Sequence, residues 1–302
     1  MLYGGIEGGG TKFVCAVSDE SGQIIARDRF STEEPAPTLA RVVAYFKDYE
    51  NQHGEKLAAL GIASFGPVDL HPASAHYGYI TRTPKAGWSY ADVLGPVKRA
   101  FPGIPVGFNT DVNAAALSEH RWGAGQAWET FGYLTIGTGI GGGVIANGQL
   151  VRGLIHPETG HILLPKHPDD PLERGVCPFH PNCLEGLASG PSLKARWGVA
   201  GETLAPEHPA WKVEAYYLAQ ALTALLCLLS PEGIILGGSV MHQQQLFPMV
   251  RQQVKELLNE YLVHPRLETL EDVIVPPGLG DDAGVMGALA LAMAAREKTI
   301  PG

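Results

Sequence analysis

Asp111, in the stretch FNTDVNAAALSEH, stands where an apolar strand pattern gives way to a helical one. A carboxylate so placed can take a proton from a bound hydroxyl, and the same position equally suits an Asp that only caps the helix. Two glycine-rich turns point to a second chemistry: Gly8-Gly9-Gly10-Thr11-Lys12 and Gly137-Thr138-Gly139-Ile140-Gly141. Where successive backbone N–H groups face one way and no Cβ intervenes, phosphate oxygens can come close. Thr11 and Thr138 would add hydroxyl donors and Lys12 a charge, with Gly10 and Gly139 giving the backbone access. Glu7 is placed either to hold a metal's water shell or to end a strand in solvent. Each turn on its own is also an ordinary strand connection.

A third group consists of Cys177, His180 and Cys183 in CPFHPNC, with His161 upstream. Two thiols and two imidazoles in a proline-rich loop match a closed tetrahedral zinc site; the alternative is free thiols beside surface histidines. If all four bind, no coordination position stays open, so the metal would be structural. His156, His167 and the Asp169-Asp170 pair read as a solvated loop, and Cys15 and Cys227 as core residues.

The elements that must position these residues repeat along the chain. Residues 2–30 read as strand, glycine turn, strand, turn and strand, and residues 131–153 follow the same plan, with Asn147-Gly148 favouring a type I′ hairpin. Helical patterns at 39–49, 113–123, 212–229, 247–262 and 283–298 alternate with strand patterns at 57–66, 104–111, 233–240 and 272–276. This is an α/β chain of two related halves with mixed sheets. The boundaries expected are residues 1–115 plus 286–302 for a small N-terminal domain and 116–285 for a large C-terminal one, with a hinge near 112–118. Gly137, Gly139 and Gly142 satisfy G-x-G-x-x-G, but a hairpin follows where a dinucleotide fold needs a helix, and GGGTK lacks P-loop spacing.

With 302 residues, 45% hydrophobic and 18% charged, the chain can bury a large core. A net charge of -9 without any basic run argues against nucleic acid and anionic membranes as partners and favours a small molecule. The apolar stretch Leu218–Leu229 is shorter than the ~20 residues of a membrane span and reads as a buried helix. Glycines and Glu7 interrupt any signal-like pattern at the start, and four cysteines fit a reducing cytoplasm, which is the compartment expected.

EGGGTK, NTDVNAAA, TIGTGIGGG, HPETGH and CPFHPNCLEGLASGP come in the order and spacing of the ROK family of sugar kinases, and the chain resembles that family from about residue 3 to residue 296. FGPVD, TPKAGW and TDVNAAA look most like its bacterial fructokinases. The resemblance implies the actin-like ATPase (ribonuclease H-like) fold, with ATP and Mg²⁺ in a cleft between two related domains and a sugar bound deep beside the hinge. It implies that Asp111 is the general base. Gly66, Thr110, Glu158, His161 and Glu185 would bind the sugar, and Glu7, Gly10, Thr11, Lys12, Thr138, Gly139, Gly237 and Gly238 would bind ATP and Mg²⁺. Zinc at His161, Cys177, His180 and Cys183 is implied as well, His161 using its other ring nitrogen on the sugar. Thr110 departs from the Asn that many members carry before the base and favours a fructose-like ligand; His180 departs from a third cysteine. The activity implied is phosphorylation of D-fructose to fructose 6-phosphate by a homodimer. Glucose, mannose or N-acetylmannosamine kinases and a non-catalytic sugar-binding or regulatory protein are the alternatives.

Overall fold

The computed structural model describes residues 1–298. In chain order the strands and helices are β1 (Leu2–Gly8), β2 (Lys12–Ser18), β3 (Ile24–Ser31), α1 (Pro35–His53), β4 (Leu57–Ser64), α2 (Leu94–Ala100), β5 (Val106–Thr110) and α3 (Asp111–Trp122). There follow β6 (Phe131–Ile136), β7 (Ile140–Ala146), β8 (Gln149–Leu150), α4 (Leu184–Ala188), α5 (Gly190–Trp197), α6 (Ala210–Leu229), β9 (Gly233–Gly237), α7 (Leu246–Leu258), β10 (Ile274–Val275) and α8 (Ala283–Glu297). They form two compact units. The first comprises Met1–Arg121, Arg152–His156 and the segment from Asp282 onward; the second comprises Trp122–Val151 and Pro157–Asp281.

The repeat visible in the sequence is a repeat of topology. The first unit's sheet has the order β3-β2-β1-β4-β5 and the second's, read from the matching edge, β8-β7-β6-β9-β10. In both, the hairpin strands pair antiparallel and the strands that follow a crossover pair parallel. Asn147 (φ 52°) and Gly148 (φ 71°) both take the left-handed conformation that a type I′ turn needs. The outer strands β8 and β10 shrink to two residues each, shorter than their apolar patterns suggest.

In the first unit α8 lies along β1, β4 and β5. Its Ala-rich sequence AGVMGALALAMAARE permits this, because small side chains let helix and sheet backbones approach. Gly61 of β4 completes the fit: a Cβ there would come within 2.6 Å of Ala292 N and closer still to the Ala288 carbonyl. Any larger residue would force the helix away, at a cost of about 1–3 kcal/mol for overpacking. On the other side of the sheet Phe13, Phe46, Leu60 and Trp88 build the core, with Phe13 and Trp88 stacked at 5.6 Å. Helix α1 starts at Pro35 and stops at Gly54, whose φ of 70° gives a left-handed C-cap.

The second core centres on α6, which buries Trp211, Tyr217, Leu218, Leu222 and Leu225. This helix is long and apolar enough to span a membrane by composition, yet most of that window is buried inside the protein. Cys15 is a core residue, whereas Cys227, near the end of α6, is exposed, since it falls off the helix stripe that faces the core.

Candidate functional site

In the first unit β5 leads directly into α3, and the residue that caps the helix is Thr110. Its buried hydroxyl accepts the Asn113 N–H at 3.0 Å. Asp111 is therefore the first residue of the helix, one position inside the Thr110 cap. Its Oδ1 accepts the Val112 N–H at 2.9 Å, and it sits where the helix dipole favours a negative charge. Asn113 donates from Nδ2 to Asn109 Oδ1 at 2.8 Å, which ties the helix to the last turn of strand before it. The Thr110 hydroxyl, an acceptor in this bond, is also a donor group.

The turn Gly8–Lys12 joins β1 to β2 and is closed by Gly9 N–H donating to Lys12 O at 2.9 Å. Gly8 and Gly10 are glycines for different reasons. A Cβ on Gly8 would strike the Phe13 ring at 2.8 Å, so Gly8 serves packing, while a Cβ on Gly10 would meet no atom within 4 Å. Gly10, with exposed Thr11 and Lys12 beside it, is the place where a ligand can reach the backbone. Glu7 stands half-buried at the end of β1. Burial lifts its carboxyl above the usual range, Lys12, Arg27 and Arg29 pull it down, and Asp282 pushes it up again. Across from it, a Cβ on Gly284 of α8 would lie 2.6 Å from the Glu7 carboxyl carbon.

Gly66 precedes Pro67 through a cis peptide bond. The buried His156 accepts the Val68 N–H at its Nε2 (3.2 Å), which places its ring 3.8 Å from where a Gly66 Cβ would be. His156 is thus part of the first unit and is not in a solvated loop. Trp88 of the TPKAGW loop is fully buried on Phe13 and Phe65, so its ring anchors that loop to the core under the glycine turn.

In the second unit Gly137-Thr138-Gly139 joins β6 to β7, with Thr138 exposed. The turn is fastened at both ends by the α4–α5 segment. Gly190 N–H donates to Gly137 O at 2.8 Å, and Ile140 N–H donates to Glu185 Oε2 at 3.0 Å. A Cβ on Gly139 would stand 2.7 Å from that same oxygen. Glu158 lies near Glu185, and burial, reinforced by the Glu185 carboxylate, pushes its carboxyl up to about 7. Gly237 and Gly238 follow β9. A Gly237 Cβ would meet the Tyr133 hydroxyl at 2.6 Å, and Gly238 (φ 89°) runs against the Ile136 backbone, so the chain itself accounts for both glycines.

His161, Cys177, His180 and Cys183 converge, each offering a ligand atom within 4.8 Å of the others. Cys177 Sγ lies 4.0 Å from His161 Nδ1 and 3.8 Å from His180 Nδ1, against roughly 3.6 Å between sulfur and nitrogen ligands of tetrahedral zinc. All the cysteines are free. The donor set and its spacing fit a structural zinc ion. Nδ1 of His161 faces the cluster, which leaves Nε2 for another partner. The backbone laces the loop: Leu184 N–H to Ile162 O (2.9 Å), Leu164 N–H to Asn182 O (2.9 Å) and Val176 N–H to Gly186 O (2.8 Å). Cys183 is also the N-cap of α4, its sulfur accepting the Gly186 N–H at 3.4 Å.

Asp170 is not solvated. It forms a fork-to-fork pair with Arg196, both bonds 2.9 Å and both side chains fully buried, and it accepts the Tyr217 hydroxyl at 2.5 Å. Loop, α5 and α6 are pinned together there. Nothing in the local sequence signals this pairing, because its members lie 26 and 47 residues apart. Nearby Glu214 of α6 is fully buried with neither carboxyl oxygen hydrogen-bonded, and burial drives its carboxyl well above the usual range against the pull of Arg196.

The ROK family model matches residues 3–295. A fructokinase of Zymomonas mobilis is 46% identical over 299 residues, covering 98% of each chain, and a fructokinase of Streptococcus mutans is 44% identical over 294 residues, 96% of this chain and 97% of its own. Among solved structures, a ROK family glucokinase from Streptomyces griseus in complex with glucose and AMPPNP superposes with a TM-score of 0.76 at 26% identity, covering 97% of this chain and all of the other.

Proposed function

This chain belongs to the ROK family, with its actin-like ATPase fold, and we propose that it transfers the γ-phosphoryl group of ATP to D-fructose, giving fructose 6-phosphate. The observation that carries the reading is the difference in likeness: relatives named fructokinase share 44–46% of their residues with this chain end to end, the glucokinase structure 26%.

Phosphoryl transfer is mainly a matter of positioning and charge neutralisation, with one group needed to take the hydroxyl proton. Asp111 fills that role: it stands in the first turn of a helix whose cap is supplied by Thr110, with its Oδ1 on the Val112 N–H. The proton of the attacking fructose hydroxyl passes to Asp111 as the oxygen–phosphorus bond forms and the bond to ADP breaks. Thr110 offers its hydroxyl proton and Gly66 its backbone to the sugar; Glu158, Glu185 and Nε2 of His161 take further hydroxyls. The open backbone at Gly10, with Thr11 and Lys12, and the turn carrying Thr138 and Gly139 receive the phosphates, and Gly237 and Gly238 back the nucleoside. Mg²⁺, when bound, neutralises charge on the phosphate oxygens, and Glu7 would hold its water shell. Zinc at His161, Cys177, His180 and Cys183 would fix the loop that carries the sugar ligands. The reading includes a cytoplasmic homodimer; free cysteines agree with a reducing compartment.

The test is ADP release with fructose, glucose, mannose and N-acetylmannosamine at equal concentration, using metal-analysed protein. Fructose should give the highest kcat/KM. A higher value for any of the others refutes the sugar assignment, and no turnover with any sugar refutes the kinase reading.

A further inference from the structure

Helix α4 is only five residues long, yet with the start of α5 it meets three features of its unit. Its N-cap is Cys183 of the metal cluster, its first turn carries Glu185, and the residue that opens the next helix, Gly190, donates to Gly137 O. Glu185 Oε2 accepts the Ile140 N–H, so the turn 137–140 is held at its exit by a side chain and at its entry by a backbone group, both from the α4–α5 segment. Gly139 has no Cβ where one would lie 2.7 Å from Oε2. The glycine that looks reserved for phosphate is thus also needed for the carboxylate to reach the turn.

We propose that Glu185 is a positioning residue for the second glycine turn, fixing through its bond to Ile140 the backbone that receives the triphosphate. The sugar contact expected of Glu185 leaves this bond unexplained, because a sugar ligand needs no fixed attachment to Ile140. The Glu185 side chain holds the turn by placing an acceptor oxygen on the Ile140 N–H, a part that an amide oxygen of the same reach can also play. Its second oxygen stays available to a ligand. The consequence for nucleotide rests on the kinase reading above; the consequence for the turn does not.

Three variants separate the roles. Glu185→Gln keeps an acceptor for Ile140 N–H and loses the charge; Glu185→Ala removes the acceptor; Glu185→Asp keeps the charge but withdraws it by one methylene. Amide hydrogen exchange of the peptide Leu134–Ile145 should rise at least about tenfold at Ile140 in Glu185→Ala and Glu185→Asp and change little in Glu185→Gln. Binding of a non-hydrolysable ATP analogue, measured without sugar, should weaken roughly tenfold in Glu185→Ala and Glu185→Asp and stay within about twofold in Glu185→Gln. In turnover, Glu185→Gln should raise KM for the sugar alone, and Glu185→Ala KM for both substrates. Equal Ile140 exchange in all three variants, or equal nucleotide affinity in Ala and Gln, overturns the proposal. If the unaltered protein binds no nucleotide, the kinase reading fails, while the exchange result still decides what Glu185 does to the turn.

Discussion

Replacing Asp111 by Asn separates chemistry from architecture, because the structure makes the architectural cost small. Thr110, not Asp111, caps α3, and an Asn at 111 keeps an oxygen for the Val112 N–H now accepted by Oδ1. What is lost in stability is the charge at the helix N-terminus, about 0.3–1 kcal/mol. That should lower the melting temperature by roughly 2–4 °C at most in a chain of this size. Loss of a general base costs about 10²–10⁴ in rate, or roughly 3–5 kcal/mol of barrier. The two effects differ enough to be told apart in one preparation. Coupled ADP release with fructose should show kcat down at least about a hundredfold with KM for ATP little changed. Thr110→Ala is the contrast: it removes the cap and about 1 kcal/mol of stability, and Thr110→Ser restores the cap. Should Asp111→Asn turn over within about threefold of the parent while melting at the same temperature, Asp111 is a helix-end charge and the base lies elsewhere.

Elemental analysis of the purified protein should find zinc, and Cys177→Ser should lower both its content and the melting temperature; protein that folds without metal and whose thiols all react freely would contradict this. Glu214 gives a pH signature. Its carboxyl is raised in the folded state, so the folded protein holds a proton that the unfolded chain releases above about 4.5; the associated stability is complete below that pH and is lost as pH rises toward the folded value. Glu214→Gln is neutral throughout, so its melting temperature relative to the parent should climb as pH rises from 4.5 and then level off, and a constant difference would refute a buried neutral acid. Gly284→Ala puts a methyl against the Glu7 carboxyl while improving helix propensity by up to about 1 kcal/mol. It should raise the Mg²⁺ concentration needed for ADP release without lowering the melting temperature, and an unchanged Mg²⁺ dependence would detach Glu7 from the metal.

The repeat, the glycine turns, the strand-to-helix junction at 110–111 and the Cys/His spacing were legible because each is a local pattern: alternation, a turn dipeptide, a ligand interval. The convergence of His161 on the cysteines needed only the order of the motifs. Harder to read were features in which distant residues meet. Asp170 looks like half of an exposed acidic pair and is a buried partner of Arg196 and Tyr217, because α5 and α6 bring a guanidinium and a phenol to it. His156 follows four exposed residues, yet its ring is taken in by Val68. At 110–111 the pattern suits Asp111 as the helix cap, whereas in the structure the Thr110 hydroxyl accepts the Asn113 N–H and Asp111 falls one residue inside the helix, a shift of one position that local pattern does not resolve. The two-residue β8 and β10 show the reverse failing, where apolar runs overstate strands that lie at sheet edges with one neighbour each.

The two halves keep one topology and support their glycine turns by different means. In the first unit the turn is backed by an aromatic stack, Phe13 on Trp88, and Gly8 is absent a side chain to admit that ring. That apolar support is joined by neutral hydrogen bonds from the Thr32 hydroxyl to Gly9 O (2.7 Å) and from the Thr32 N–H to Thr11 O (2.9 Å). In the second unit the corresponding turn leans on the carboxylate of Glu185, carried by a helix capped from the metal cluster. That support is polar, directional and open to any ligand that competes for the same oxygens. The two turns correspond in topology, and the second is the one that rests on an acidic side chain. A substitution that loosens the Phe13 stack should therefore weaken the first turn equally with and without sugar, whereas one at Glu185 should change how strongly sugar and nucleotide affect each other's affinity.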